Sequence, residues 1–390
     1  MVNSFFQFNP KLPAVGISIF LRMSALAQQY GAINLSQGFP DFGCSPKLVD
    51  LVGKYMRDGY NQYAPMPGVL GLREGIAQKA GITYGLEVDP AEEITITAGA
   101  TQAIFTAIAT LIHLGDEVIV FDPAYDAYGP AVETFGGITR HIVLEAPDFL
   151  IDWGMVARSI TKKTKLIIIN TPGNPNSRVF TAADFDALAH ITRDSDIGIL
   201  SDEVYADVVY DGRPVSSMLQ YPALRERSFV VGSFGKLFHV TGWKVGYVIA
   251  PSVLTDAFRK IHQFNVFSVN TPVQYALAEF LDDREEYERL GVFFQEKRDF
   301  LRDVLKGTRF RPLPCEGTYF QLVDYAALSA DEEVVFSERL TREFGLATIP
   351  VTAFYADSID QRLLRLCFAK SQQTLEAAAE KLRQIDLSYG

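Results

Sequence analysis

Seven short apolar runs separated by helix-like stretches fill residues 90 to 250, and no other feature limits the fold of this chain as strongly. They are EITITA (93–98), DEVIVFD (116–122), TRHIVLE (139–145), KLIIINTP (165–172), IGILSDEVY (197–205), SFVVGSFG (228–235) and VGYVIA (245–250). Short apolar runs alternating with helical segments are the pattern of strands in an α/β domain, where helices cover both faces of a mostly parallel sheet. Ligands in such sheets bind beyond the carboxyl ends of the strands. The polar residues, loops and glycines that close these runs are therefore where chemistry is expected.

At 390 residues the chain exceeds the size one core can serve, so a large domain and a smaller one are predicted. Beyond residue 280 a charged helix, DDREEYERLGVFFQEKRDFLRDVLKG, precedes three strand candidates, GTYFQLVDY, LATIPV and RLLRLCFA, and a final helix, TLEAAAEKLRQI. That is the pattern of an α+β unit. The net charge of −11, from 36 Lys and Arg against 47 Asp and Glu, argues against a nucleic-acid binder. Cys44, Cys315 and Cys367 lie far apart with no C-x-x-C pair, which suggests neither a metal site nor a disulfide framework. With no signal-peptide pattern and no uninterrupted apolar span, a cytoplasmic setting with no membrane partner is expected.

Six stretches carry candidate chemistry. Lys236, in SFGKLFHVTGWKVGY, has no acid beside it and sits among Ser, Gly and aromatic residues. Desolvation there would lower its pKa and make it nucleophilic, although a surface lysine at a strand-to-helix turn reads the same way. Asp202 closes the run IGIL, where a carboxylate at the mouth of a buried strand needs a cation; a protonated ring nitrogen is one, and helix capping is the competing account. Tyr205 follows three residues later. In NTPGNPNSRVF, two prolines and a glycine stiffen a loop that presents Asn174 as donor and acceptor.

TAGATQAIFTAI leads from a strand through Gly99 and Ala100 into a helix start, whose free N–H groups favour an anion. Thr101 and Gln102 add side-chain donors there, and Ser233 and Lys244 flank Lys236 and could complete the cradle; an ordinary helix start is the alternative. Arg365, in RLLRLCFAK, shares a strand face with Leu363 and Cys367 and suits a bidentate carboxylate, or else a structural ion pair. Tyr125, in FDPAYDAYG, is a ring-stacking residue or core. The order of these stretches, all at strand ends of one pattern, carries more than any one of them.

That order resembles the class I/II aminotransferases of pyridoxal-phosphate fold type I, over roughly residues 15–385. INLSQGFPDF, NQYAPMPG, TAGATQAIFTA, FDPAYDAYGPA, NTPGNPNSRVF, SDEVYADVVYDG, SFGKLFHVTGWKVGY, HQFNVFSVNTP, LPCEGTYFQLVDY and RLLRLCFAK look most like the bacterial methionine aminotransferases and the related kynurenine/glutamine aminotransferases. The resemblance implies a large domain, residues 46–280, with a mostly parallel seven-stranded sheet. It also implies a small α+β domain, residues 281–390, joined by the N-terminal segment, residues 1–45.

By motif position it implies pyridoxal 5′-phosphate carried covalently on Lys236, with Asp202 at the pyridine nitrogen, Tyr205 and Asn174 at the phenolic oxygen and Tyr125 stacked on the ring. Ala100, Thr101, Gln102, Ser233 and Lys244 would bind phosphate, and Gly38, Asn174 and Arg365 the substrate carboxylate. Tyr63 matches a tyrosine that reaches the phosphate of the neighbouring subunit, which implies a homodimer with the site at its interface. Two residues depart from the wider class: Lys244 replaces a forked Arg with a point charge, and Ser177 stands where many members have Gly after Asn174.

The implied activity is ping-pong transfer of an amino group from an L-amino acid to a 2-oxo acid, with Lys236 as general base and acid. Phe39, Phe238, Phe264, Phe267 and Tyr319 suggest an apolar pocket for methionine, aromatic or kynurenine-type side chains, and each could equally be core. A carbon–sulfur β-lyase is the enzymatic alternative. An effector domain of a transcription regulator is the non-enzymatic one, and it would need a helix-turn-helix module for which the residues before the matched blocks are too few.

Overall fold

The computed structural model describes residues 9–13 and 15–389. Each of the seven apolar runs forms a strand: β1 (Ile94–Thr97), β2 (Glu117–Asp122), β3 (Ile138–Val143), β4 (Thr164–Asn170), β5 (Gly198–Asp202), β6 (Ser228–Ser233) and β7 (Gly246–Ile249). They make one sheet in the order β1-β7-β6-β5-β4-β2-β3. All pairings are parallel except those of β7, which runs antiparallel to both β1 and β6. The central strand β5 is buried throughout because helices cover both faces, which is why it reads as an unbroken apolar run without alternation. The expected mostly parallel seven-stranded α/β architecture is what the chain adopts.

Register sets the functional rim. Asn170 pairs with Asp202, and Gly246 pairs with both Thr97 and Ser233, so residues scattered over more than a hundred positions share one edge of the sheet.

A second, four-stranded antiparallel sheet is built from Arg311–Pro312, β8 (Phe320–Asp324), Ile349–Pro350 and β9 (Leu363–Cys367). The run LATIPV, expected as one strand, is split. Leu346–Ala347 pairs in parallel with Ile33–Asn34, while Ile349–Pro350 pairs with β9. Thr348 marks the switch, held by the Ser337 hydroxyl, which bonds both its carbonyl and its side chain. The expected charged helix is likewise divided at Arg289, into Glu285–Glu288 and Leu290–Leu305. A further bond, from Cys367 N–H to Leu35 C=O at 2.9 Å, ties the segment after Ile33–Asn34 to the end of β9. The final helix runs from Gln372 to Ser388, with Ser371 capping it by accepting from Thr374 N–H. No helix among the described residues is long and apolar enough to cross a membrane.

Candidate active site

After β1 the chain turns through Gly99, at φ +79°, into the helix Ala100–Leu111. The first N–H groups of that helix have no acceptor within it. A side chain at Gly99 would come within 3.3 Å of the Lys244 ammonium. Gly246 is more constrained still: a Cβ would lie 2.8 Å from Gly232 C=O, 2.9 Å from Ala100 N and 3.0 Å from Gly99 C. Strand β7 and the helix start can approach this closely because there is no side chain between them. Lys244, itself in the left-handed region at φ 54°, sends its amine over the same turn.

Lys236 follows β6 in the one-turn helix Phe234–Leu237. It keeps some accessible surface because it faces a cavity, yet its amine is deep enough that desolvation lowers its pKa to about 8, with the Asp202 and Cys367 side chains opposing that shift. The amine donates to Tyr319 Oη at 2.9 Å and to Gly38 C=O at 3.2 Å.

Asp202, at the end of β5, is 4% exposed, and burial pushes its carboxyl up to about 6. The Tyr128 hydroxyl opposes that shift by donating to Oδ2 at 2.6 Å. Asn170 ends β4 beside it. Its amide donates to Asp202 C=O at 2.8 Å and its oxygen accepts from Asn174 N–H at 2.7 Å, which fixes the start of the Asn-Pro loop.

Arg365 is 1% exposed. Its Nη1 donates to Asn174 Oδ1 at 2.7 Å and its Nη2 to Ser36 C=O at 2.9 Å, while Nε is buried without a partner. The guanidinium stacks on Phe320, 4.0 Å from the ring centroid, and Phe20 and Phe354 stand 5.2 and 5.1 Å away. Burial lowers its pKa from the ordinary arginine value.

These groups face one cavity of about 250 Å³. Of the residues singled out in the sequence, Gly38, Ala100, Thr101, Tyr125, Asn174, Asp202, Tyr205, Ser233, Lys236, Lys244 and Arg365 all line it. Burial raises the phenol pKa of both Tyr125 and Tyr205. Two do not line it. The Gln102 side chain is turned back into the fold, accepting from Ala98 N–H at 2.9 Å and donating to Thr106 Oγ1 at 2.7 Å, so it has only its backbone N–H to offer there. Tyr63 is 83% exposed, outside the cavity and edge-on to Phe267.

The expected aromatic pocket needs correction. Among its five residues only Phe39 lines the cavity. Phe238 is core, packed edge-on against Phe280, because its side chain projects from the short helix away from the rim. Phe264 and Phe267 are exposed, one at the end of the helix Ser252–Asn265 and the other just beyond it. Tyr319 is buried beneath Lys236. Sequence reasoning missed Phe20, Asn170, Thr241 and Phe320 in the lining and Tyr128 behind Asp202. For Tyr128 the one sequence signal was its place in the same FDPAYDAYG stretch as Tyr125.

Ser177 does adopt the left-handed conformation that glycine would take, at φ 58°. Its hydroxyl compensates by bonding Thr318 Oγ1 at 2.9 Å and Phe320 C=O at 2.8 Å, which pins the Asn-Pro loop to β8.

Residues 30–382 match the model of the family described as aminotransferase class I and II. The chain is 50% identical to methionine aminotransferase of Escherichia coli K12 over 376 residues, covering 96% of this chain and 97% of the relative. It is 32% identical to kynurenine–oxoglutarate transaminase of Dictyostelium discoideum, covering 97% of each. A crystal structure of an Escherichia coli protein with methionine aminotransferase function superposes with a TM-score of 0.94 at 49% identity, covering 97% of this chain and all of that one. A rim that gathers a desolvated lysine, a buried aspartate, an open helix start and a buried arginine, in a chain matched end to end by transaminases, has one family reading: the chain belongs to the class I and II aminotransferases, and its activity is amino-acid transamination.

Proposed function

We propose that this aminotransferase uses pyridoxal 5′-phosphate to move the amino group of an L-amino acid of methionine, aromatic or kynurenine type to a 2-oxo acid, acting as a homodimer in the cytoplasm. One observation carries the reading: the buried Asp202 and Arg365 and the desolvated amine of Lys236 face a single cavity with no ion pair among them. Their protein partners are neutral hydrogen-bonding groups, and desolvated charges with no opposite charge beside them call for ligand charges.

The residues fit that cofactor. The open N–H groups of Ala100, Thr101 and Gln102, the Ser233 hydroxyl and the Lys244 amine would hold its phosphate, in the cradle that Gly99 and Gly246 keep free of side chains. Asp202 would meet the ring nitrogen, Asn174 and Tyr205 the phenolic oxygen, and Tyr125 would lie on the ring. Lys236 would bond to it covalently. When bound, the cofactor supplies an aldehyde carbon for the amino group and a cationic ring that accepts the electron pair of the breaking Cα–H bond.

The chain's own groups do the rest. Arg365, already oriented by Asn174 and Ser36, presents its guanidinium to the α-carboxylate beside Gly38, and this fixes which Cα bond stands toward the lysine. The free amine of Lys236 would take the proton from Cα and deliver it to the cofactor's former aldehyde carbon, across the intervening nitrogen; a pKa near 8 keeps both of its protonation states accessible near neutral pH. Asp202 stays ionised because the Tyr128 bond and a facing cation favour its charge.

An apolar side chain is favoured because Arg365 is the one guanidinium among the described residues lining the cavity, while Phe20, Phe39 and Phe320 line it too. The methionine and kynurenine relatives point the same way. Tyr63, turned to solvent, would reach the phosphate of the second subunit. The division into residues 1–45, 46–280 and 281–390 is supported by the two separate sheets and by the pairing of Ile33–Asn34 with Leu346–Ala347.

The test is a panel of amino acids added to purified holoenzyme, watching which ones convert the cofactor's absorption to that of its aminated form. Methionine or an aromatic amino acid should do so, and Lys236→Ala should lose turnover; near-normal rates in that variant would refute the assignment.

A further inference from the structure

Tyr319 has no role in the function proposed above, yet it touches the reacting amine. Its ring is buried, 1% exposed, and packed edge-on against Tyr205, tilted against Phe294 and beside Phe320, with centroids 5.1, 5.4 and 4.9 Å away. Its hydroxyl donates to Gly38 C=O at 2.7 Å. With its one proton committed there, Oη turns its lone pairs to Lys236, whose amine donates to it at 2.9 Å and to the same Gly38 carbonyl at 3.2 Å. Lys236 Nζ, Tyr319 Oη and Gly38 O thus form a closed triangle joining the residue that leads into β8, the lysine turn and the loop that carries Phe39.

From this geometry we infer that Tyr319 is a positioning residue, which with the Gly38 carbonyl seats the amine of Lys236 whenever that amine is free of the cofactor. This rests on the proposed function, in which Lys236 is released in each half-reaction and must then stand ready at Cα. An unheld lysine of four rotatable bonds would spread over many rotamers. Two acceptors also favour the charged over the neutral amine. The other charged or titratable groups facing the amine are Asp202 from β5, Arg365 and Cys367 from β9, Lys244 after the Thr241–Trp243 turn, and the Tyr205 phenol. A Tyr319→Phe change leaves all of them in place.

The experiment uses the full-length protein, alone and reconstituted with pyridoxamine 5′-phosphate, so that the lysine is free in both. Competitive labelling with acetic anhydride across pH, read at Lys236 by peptide mass spectrometry, gives the titration midpoint of that amine. In Tyr319→Phe the midpoint should fall by about one pH unit, because an acceptor for the ammonium is lost. In the holoenzyme kcat should fall about tenfold with KM within about twofold, because Tyr319 does not line the substrate cavity. An unmoved midpoint overturns the inference even if the rate falls, since that pattern marks a packing defect. A lowered midpoint with an unchanged kcat overturns it too. Failure of every amino acid to aminate the wild-type cofactor would instead refute the proposed function, and the labelling, which needs no substrate, distinguishes the two.

Discussion

Tyr128 and Asp202 lie 74 positions apart and meet through a 2.6 Å hydrogen bond, phenol to carboxylate, beneath the cavity floor. Burial raises the Asp202 pKa to about 6, and this bond lowers it because it stabilises the ionised form. Removing the donor should therefore raise that pKa further, by about one unit. A Tyr128→Phe enzyme should lose activity on the acid side at a higher pH than wild type, with the alkaline side unmoved. The pH profile of kcat/KM for one good amino donor checks this; superimposable acid limbs would mean that Tyr128 does not govern the carboxylate.

The large sheet was legible because buried parallel strands must be apolar throughout, and the inner runs had that character; TRHIVLE, whose strand β3 is the largely exposed edge, was carried by its place in the alternation instead. Asp202 and Ser233 were legible for a related reason, since polar residues that close such runs stand at a rim, and Asn174 because the stiff Asn-Pro loop follows directly on such a run. What the sequence did not disclose were contacts fixed by direction rather than by position. Gln102 sits at the right place on its helix, but its side chain folds back to Ala98 and Thr106. Phe238 and Phe39 read alike as aromatics near site motifs, yet one packs on Phe280 and the other lines the cavity. Phe20 arrives from a helix remote in sequence, in a segment with no chemical signature of its own. The split of LATIPV at Thr348 depends on two different partner strands, which a local pattern cannot encode.

The position of Lys236 should cost stability. Its pKa falls from an ordinary 10.5 to about 8, so below pH 8 the fold holds a desolvated charge that the unfolded chain leaves in water. Between pH 8 and 10.5 the native protein sheds that proton before the unfolded chain does; the unfolded state then binds more protons, and stability rises with pH. In protein stripped of cofactor, Lys236→Met should be more stable than wild type by about 3 kcal/mol at pH 7. The gap should shrink to about 1 kcal/mol at pH 10. Denaturant titrations at the two pH values measure it, and a gap independent of pH would exclude this origin.

Gly246 should not tolerate alanine. The added methyl group meets the backbone of Gly232, Ala100 and Gly99 within 3.0 Å, and none of these can swing aside as a side chain could. Strand β7 must move away from the helix start, which spoils the array of N–H groups proposed for phosphate. Gly246→Ala should lower stability by about 1–3 kcal/mol. It should also weaken pyridoxal-phosphate binding at least about tenfold, since one lost charge-assisted bond has that effect. Fluorescence titration of the cofactor is the check, and unaltered affinity would show that the cradle lies elsewhere.

Arg365→Lys keeps the charge and removes the fork. In the native site one arm is held by Asn174 Oδ1 and the other by Ser36 C=O, and the flat face lies on Phe320, so the guanidinium is oriented before any carboxylate arrives. An ammonium cannot bond both anchors while presenting two parallel N–H groups, nor stack in the same way. If the carboxylate is bound here, its loss should fall on substrate capture: KM for the amino donor should rise about a hundredfold, with a smaller fall in kcat. The defect should be of similar size for methionine and for phenylalanine, because the α-carboxylate is common to both. Half-reaction rates measured against donor concentration for the two amino acids decide it; a defect confined to one donor would place Arg365 at the side chain instead of the carboxylate.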